Sequence, residues 1–261
     1  MGSTSLYLCC DFVGCPKVCT FTSSFLSTRM TKTILHIETT TDVCSLAVSC
    51  DAEVLLHRVD REGHNHARVL PLFVDEALRF LAEKGMNLDA VALSKGPGSY
   101  TGLRIGASMA KGICYAQNIP LLGINTLQLM AVAAREASQA AGCDLLCPMI
   151  DARRMEVYDA LFGQDLMEVS SVKAHIIDET AFQDELSHSR IAFFGNGSDK
   201  CRELIVSPNA VFLSDIVPDA YHSVRLAESL LESGATEDVA YFEPFYLKEF
   251  QATVAKNKVL G

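Results

Sequence analysis

The sequence has no tryptophan, only 8 prolines in 261 residues, and fewer bases than acids: Lys+Arg 22 against Asp+Glu 32, a formal net charge of −10. That shortage of positive charge argues against a chain that grips nucleic acid by itself, because phosphate neutralisation supplies most non-specific affinity. No uncharged apolar run reaches about 18 residues, so no membrane span is expected. No positive charge precedes the apolar run at 6–10, and Asp11 interrupts it, so no signal peptide is expected. Leu6 stands where myristoylation requires Ser or Thr. Without an export signal, reduced cysteines and a cytoplasmic location are expected. Low-complexity linkers and short repeats are also lacking, which excludes disordered, collagen-like and coiled-coil classes.

What is present suits a folded protein of one large domain or two lobes: 49% of residues are hydrophobic and 21% charged. Residues 1–29 differ from the rest. They carry +1, leaving −11 on residues 30–261, and they hold Cys9, Cys10, Cys15 and Cys19 of the ten cysteines. Their spacing lacks histidine and the paired C-x2-C pattern of a zinc site, so they are expected to be an extension outside the fold. Cys44, Cys50, Cys114, Cys143, Cys147 and Cys201 lie in apolar stretches, as small buried hydrophobes do.

Three closely spaced β-rich runs, at 33–37, 44–49 and 54–59, predict an antiparallel meander. Val69, Leu70, Phe73, Ala77, Leu78 and Leu81 share one face of a helix over 66–84. A strand at 90–94, a turn at 96–99 and a helix to about 117 follow, then a strand at 119–123 and a helix to about 140 capped by Thr126. The second half repeats this plan: a hairpin of 145–150 with 157–162, a strand at 191–194, a helix at 199–205, a β-like segment at 211–213, and a helix at 221–233 stopped by Gly234. Two α/β lobes are expected, 30–135 and 136–261, with the 221–233 helix packing back on the first.

The strongest local signal is the glycine-rich run from Gly96 to Gly106, a turn opening a helix. It could hold an anion on free N–H groups, but no Gly-Lys-Ser/Thr follows. Gly102, Gly106 and Ala110 make a smooth stripe on a helix with only Arg104 and Lys111 charged, which favours packing or an interface. His64 and His66 do not share a helix face, and a polar helix start is the better reading. Asp151, Arg153, Arg154 and Glu156 make a charged hairpin tip.

Several motifs occur in a familiar order: Ile37-Glu38-Thr39-Thr40-Thr41, the run from Gly96 to Gly106, Gly123-Ile124-Asn125-Thr126-Leu127, Ile150-Asp151-Ala152-Arg153, and Glu243-Pro244-Phe245-Tyr246-Leu247-Lys248. Together they resemble the bacterial TsaB (YeaZ) family over about residues 32–258. The resemblance implies two ribonuclease-H-like lobes of the actin/Hsp70/sugar-kinase ATPase superfamily. It also implies a role in making N6-threonylcarbamoyladenosine in tRNAs that read codons starting with A. The catalytic relative, TsaD, carries Asn-His-Leu-Glu-Ala-His, two metal-binding histidines one turn apart; this chain has Asn125-Thr126-Leu127-Gln128-Leu129-Met130, and neither Thr126 nor Met130 replaces an imidazole. Its Ser-Gly-Gly-His-Thr phosphate loop is replaced here by Asp151-Ala152-Arg153-Arg154.

The resemblance thus implies a non-catalytic subunit with no metal and no catalytic residue. Glu38, Thr39, Thr40 and Asp151 would be remnants of a nucleotide site, leaving at most weak ATP or ADP binding at a subunit interface. The implied partners are a TsaD-like catalytic subunit and a TsaE-like ATPase, with tRNA reached only through the complex and a homodimer when the chain is alone. The expected contact surface is the helix pair 66–84 and 99–117, through Leu70, Phe73, Gly98, Tyr100, Thr101, Gly102, Leu103, Arg104, Gly106, Met109 and Ala110. A large residue at Gly106 is then expected to block association and leave the monomer folded. The rival reading is an ATPase, a kinase-like enzyme or a glycoprotease-type metallopeptidase working in the interlobe cleft.

Overall fold

Residues 33–60 form the predicted meander, β1 (Thr33–Glu38), β2 (Cys44–Cys50) and β3 (Glu53–Asp60). β1 is buried along its whole length, with Thr33, His36 and Glu38 as fully enclosed as Ile34, Leu35 and Ile37, so neither of its faces is solvent-exposed. Helix α1 (His66–Lys84) carries the chain to β4 (Ala90–Gly96), parallel to β1, and α2 (Tyr100–Gln117) to β5 (Leu121–Asn125), parallel to β4. The left-handed residues Gly85 and Asn118 end the two helices. The sheet order is β3-β2-β1-β4-β5.

After α3 (Thr126–Glu136) the plan repeats in β6 (Leu145–Asp151), β7 (Glu156–Gly163), β8 (Glu168–Ile176), α4 (Gln183–His188), β9 (Ile191–Phe194), β10 (Ala210–Phe212) and α5 (Val224–Ser233). The second sheet has the order β8-β7-β6-β9-β10, antiparallel through β6, β7 and β8 and parallel through β6, β9 and β10. Each strand matches its counterpart in position and direction. The fold is therefore the two-lobe α/β architecture the resemblance implies, with one ribonuclease-H-like sheet per lobe.

This computed structural model describes residues 31–63, 65–137 and 142–248. The 1–29 extension with its four cysteines, His64 and the expected end of the helix at 140 lie outside the described residues. The described residues fall in one unit beginning at Thr31.

Helices α3 and α5 tie the sheets together. Leu127, Met130 and Ala134 of α3 pack with Leu146, Phe162 and Phe194 of the second sheet. Leu129, on another face of α3, joins Ala227 of α5 against Ile34, Ala92, Leu122 and Ile124 of the first. A helix late in the chain thus completes the first lobe. Polar pins hold its entry segment: Ser45 Oγ accepts from the Ala220 N–H at 2.9 Å, His57 Nε2 meets Asp219 Oδ1 at 2.7 Å, and Ser223 Oγ meets His36 Nδ1 at 2.7 Å. Burial lowers the His36 pKa to about 3, so the ring is neutral between Ser223 and Ser49.

Four local expectations change. Asn125, not Thr126, caps α3, its Oδ1 accepting from the Leu127 N–H at 2.9 Å. The helix expected at 199–205 is a single 3-10 turn, Asp199–Cys201. Strand β8 was not foreseen, because an edge strand exposed along most of its length shows no apolar run. Helix α4 has 6 residues, too few to set a helical period.

Candidate functional site

The glycine-rich run packs on its own chain. Its turn contains a cis Gly96–Pro97 bond, and Ser99 caps α2 by accepting from the Gly102 N–H at 3.3 Å. The Ser99 N–H donates to Thr40 O at 2.7 Å, and Thr39 Oγ1 donates to Gly102 O at 2.8 Å. A Cβ on Gly98 would lie 2.6 Å from Thr40 Cβ, one on Gly102 would overlap the Thr39 carbonyl oxygen, and one on Gly106 would overlap Thr39 Oγ1. The smooth stripe therefore seats the loop after β1 of the same lobe. That overturns the expectation for Gly106: a large residue there strains the monomer itself.

The same contact closes the first candidate nucleotide loop. Glu38, Thr39 and Thr40 are all 0% exposed. Thr40 donates from N and Oγ1 to Glu38 Oε1, each at 2.5 Å. Burial raises the Glu38 pKa, opposed by the Ser94 and Thr40 hydrogen bonds, while Asp219 adds to the rise. Glu38 Oε2 and Ser94 Oγ nonetheless lack a partner of good geometry. Since the folded-state pKa lies above the unfolded one, Glu38 stabilises the fold below the ordinary carboxylate range and loses that contribution as pH rises through the folded value. Glu38→Gln keeps an acceptor for Thr40 and gives Ser94 a donor. It is expected to raise stability by about 1–2 kcal/mol at pH 8 and by less at pH 5. Melting curves at the two pH values check this; a gain larger at pH 5 contradicts it.

Asp151 ends β6 on the second lobe, away from these three residues in sequence and in a different setting. It is exposed, its N–H donates to Asn196 Oδ1 at 3.0 Å, and its carboxylate pairs with Lys200. Along α3, Thr126 and Met130 are both 0% exposed; Thr126 Oγ1 is unpartnered, and Met130 packs in the apolar cluster of the second lobe. Among the described residues no group of three or more His, Cys, Asp or Glu side chains is placed to hold a metal ion.

An open apolar groove of about 840 Å³ runs along α1 and α2. Tyr100, Thr101, Arg104 and Met109, expected at an interface, line it. Gly98 and Phe73 are half-buried beside this region of sequence. Leu70, Gly102, Leu103, Gly106 and Ala110 are corrected: all are buried in the lobe, where they pack on the sheet and the loop after β1 and are out of reach of a second chain. Sequence reasoning missed Ala67, Leu78, Ile105, Ile113 and Ala116, which supply most of the apolar lining. The signal was there for α2, since Ile105, Met109, Ile113 and Ala116 recur at helical spacing. What hid it was the small-residue stripe on the adjoining face.

The Glu243–Lys248 motif lies beside this groove. Lys111 Nζ donates to the carbonyls of Ala240 and Phe242, both at 3.1 Å, and the Phe245 N–H donates to Lys95 O at 2.7 Å. Tyr246 packs on Tyr100 with ring centroids 4.9 Å apart, and Arg104 lies 5.5 Å over the Tyr100 ring. The segment continues to the second lobe, where Lys248 pairs with Glu156.

Comparison with known proteins places the chain in a family. The sequence model of the TsaD family, tRNA N6-adenosine threonylcarbamoyltransferase, matches residues 60–256. The tRNA threonylcarbamoyladenosine biosynthesis protein TsaB of Haemophilus influenzae is 38% identical over 229 residues, 83% of this chain and 93% of that protein. The Escherichia coli protein of the same name is 29% identical over 237 residues, 87% of this chain and 98% of its own length. A solved structure of YeaZ from Pseudomonas aeruginosa superposes with a TM-score of 0.69 at 25% identity, covering 83% of this chain and all of that one. Similar to these proteins over most of its own length and theirs, the chain belongs to the TsaB (YeaZ) family.

Proposed function

We propose that this chain serves tRNA N6-threonylcarbamoyladenosine biosynthesis as a non-catalytic subunit, docking a TsaD-like catalytic subunit in the groove of α1 and α2. The observation that carries the docking is that groove: an open apolar surface on a chain whose net charge is −10. Two such helices from each partner would form a four-helix interface, and a second copy of this chain would use the same surface when no partner is present. A TsaE-like ATPase would join the assembly. Support for a non-catalytic role comes from the first nucleotide loop, whose Glu38, Thr39 and Thr40 are buried and bonded internally, and from Thr126 and Met130, which offer no imidazole. Weak ATP or ADP binding would then depend on a surface shared with the partner.

The test is co-purification of the full chain with the TsaD-like protein of the same cell, followed by a modification assay on tRNA. Modification that needs both proteins, with neither active alone, is the expected result. Threonylcarbamoyl transfer or steady ATP turnover by the isolated chain would overturn the reading.

A further inference from the structure

At the hairpin tip between β6 and β7 bases gather and the acids among them are cancelled. Lys200 Nζ pairs with Asp151 and donates to the carbonyls of Arg154 and Glu156, both at 2.7 Å. Lys248 pairs with the Glu156 carboxylate. Asn196 accepts from the Asp151 N–H at 3.0 Å, so the tip is also tied to the loop after β9. Both acids of the tip are thus neutralised by lysines, and the turn is held at several points.

Arg153 and Arg154 remain. Both are exposed, and among the described residues neither guanidinium has an ion-pair partner. Their backbones are left-handed, φ 72° and 52°, a conformation that costs arginine energy and favours Gly or Asn. Two arginines at positions suited to other residues, on a backbone turn braced at several points, put two planar donors of the kind that match phosphate side by side in the sequence and open to solvent.

We propose that Arg153 and Arg154 contact the phosphate backbone of tRNA in the assembled complex. The inference rests on the reading that this chain works in a tRNA-modifying assembly. An acidic body repels RNA that arrives alone, so a local cationic tip engages RNA already held by a partner. Both arginines of the turn are exposed, so they are open to a long polyanion running past it.

The experiment titrates tRNA onto the assembly of full chain and catalytic partner between about 50 and 200 mM salt, with Arg153→Asn/Arg154→Asn and Arg153→Lys/Arg154→Lys variants. Asn suits the left-handed backbone, and the Lys pair keeps the charge. The Asn pair is expected to weaken tRNA binding roughly tenfold and to flatten the slope of log affinity against log salt by about 1–2; the Lys pair keeps the slope. Unchanged affinity and slope in the Asn pair overturn the proposal. So does weaker ATP binding with tRNA binding intact, which would assign the arginines to a nucleotide phosphate. Partner association is measured separately, by gel filtration of each variant: its loss in groove variants bears on the docking surface, whereas the tip variants are read in assemblies that still form.

Discussion

Met109→Glu is expected to abolish association with the catalytic partner while leaving the chain folded. Met109 lines the groove and is only partly buried, so in the free chain the new carboxylate can reach water. In a four-helix interface it would be an unpaired charge among apolar side chains, a cost of at least about 3 kcal/mol, or upwards of 100-fold in affinity. Tyr115→Glu provides the comparison. Tyr115 is 85% exposed on the same helix but does not line the groove, so the same charge placed there should leave affinity within about twofold. Titration calorimetry with the partner measures both. Full affinity in the Met109 variant, or equal loss in the two, would remove the docking surface from α1 and α2.

Gly102→Val is expected to do the reverse, damaging the fold before it affects any partner. Its Cβ would overlap the Thr39 carbonyl oxygen, and backbone cannot swing aside as the end of a long side chain can. Relief requires α2 to lift from the loop after β1, breaking the Thr39 Oγ1–Gly102 O bond of 2.8 Å and the Ser99 N–Thr40 O bond of 2.7 Å. About 3 kcal/mol or more, roughly 6–12 °C in melting temperature, is the expected loss. Gly112, where an added Cβ meets nothing within 4 Å and which lines the groove, is the matched control: Gly112→Ala should be neutral or slightly stabilising in the free chain. A Gly102 variant that melts with the parent protein would refute this account of the stripe.

These two positions show why the site was only half legible. Helix α2 has two special faces, and a sequence displays both at once. Small residues at i, i+4 and i+8 (Gly102, Gly106, Ala110) announce that some backbone comes close, but a period cannot say whose. The structure answers with the chain's own Thr39 and Thr40, more than 55 residues upstream, and so frees the Ile105–Met109–Ile113 face for other use. The loop at Glu38 had the same ambiguity. Its residue types fit a phosphate loop, yet whether its polar groups face solvent or are consumed internally depends on how closely α2 approaches.

The meander, helices α1 and α2, the hairpin of the second lobe and the doubled plan follow from the sequence alone, because apolar periodicity and turn residues act within a few neighbours. Strand β8 escaped because an exposed edge does not impose that pattern, and α4 because six residues carry too little of it. The tertiary structure alone decided that Lys200 and Lys248 cancel the acids around Arg153 and Arg154, and which face of α2 is open. Each depends on contacts between residues far apart in the chain, where side-chain shape and the need to satisfy buried polar groups choose among packings that local pattern leaves equal.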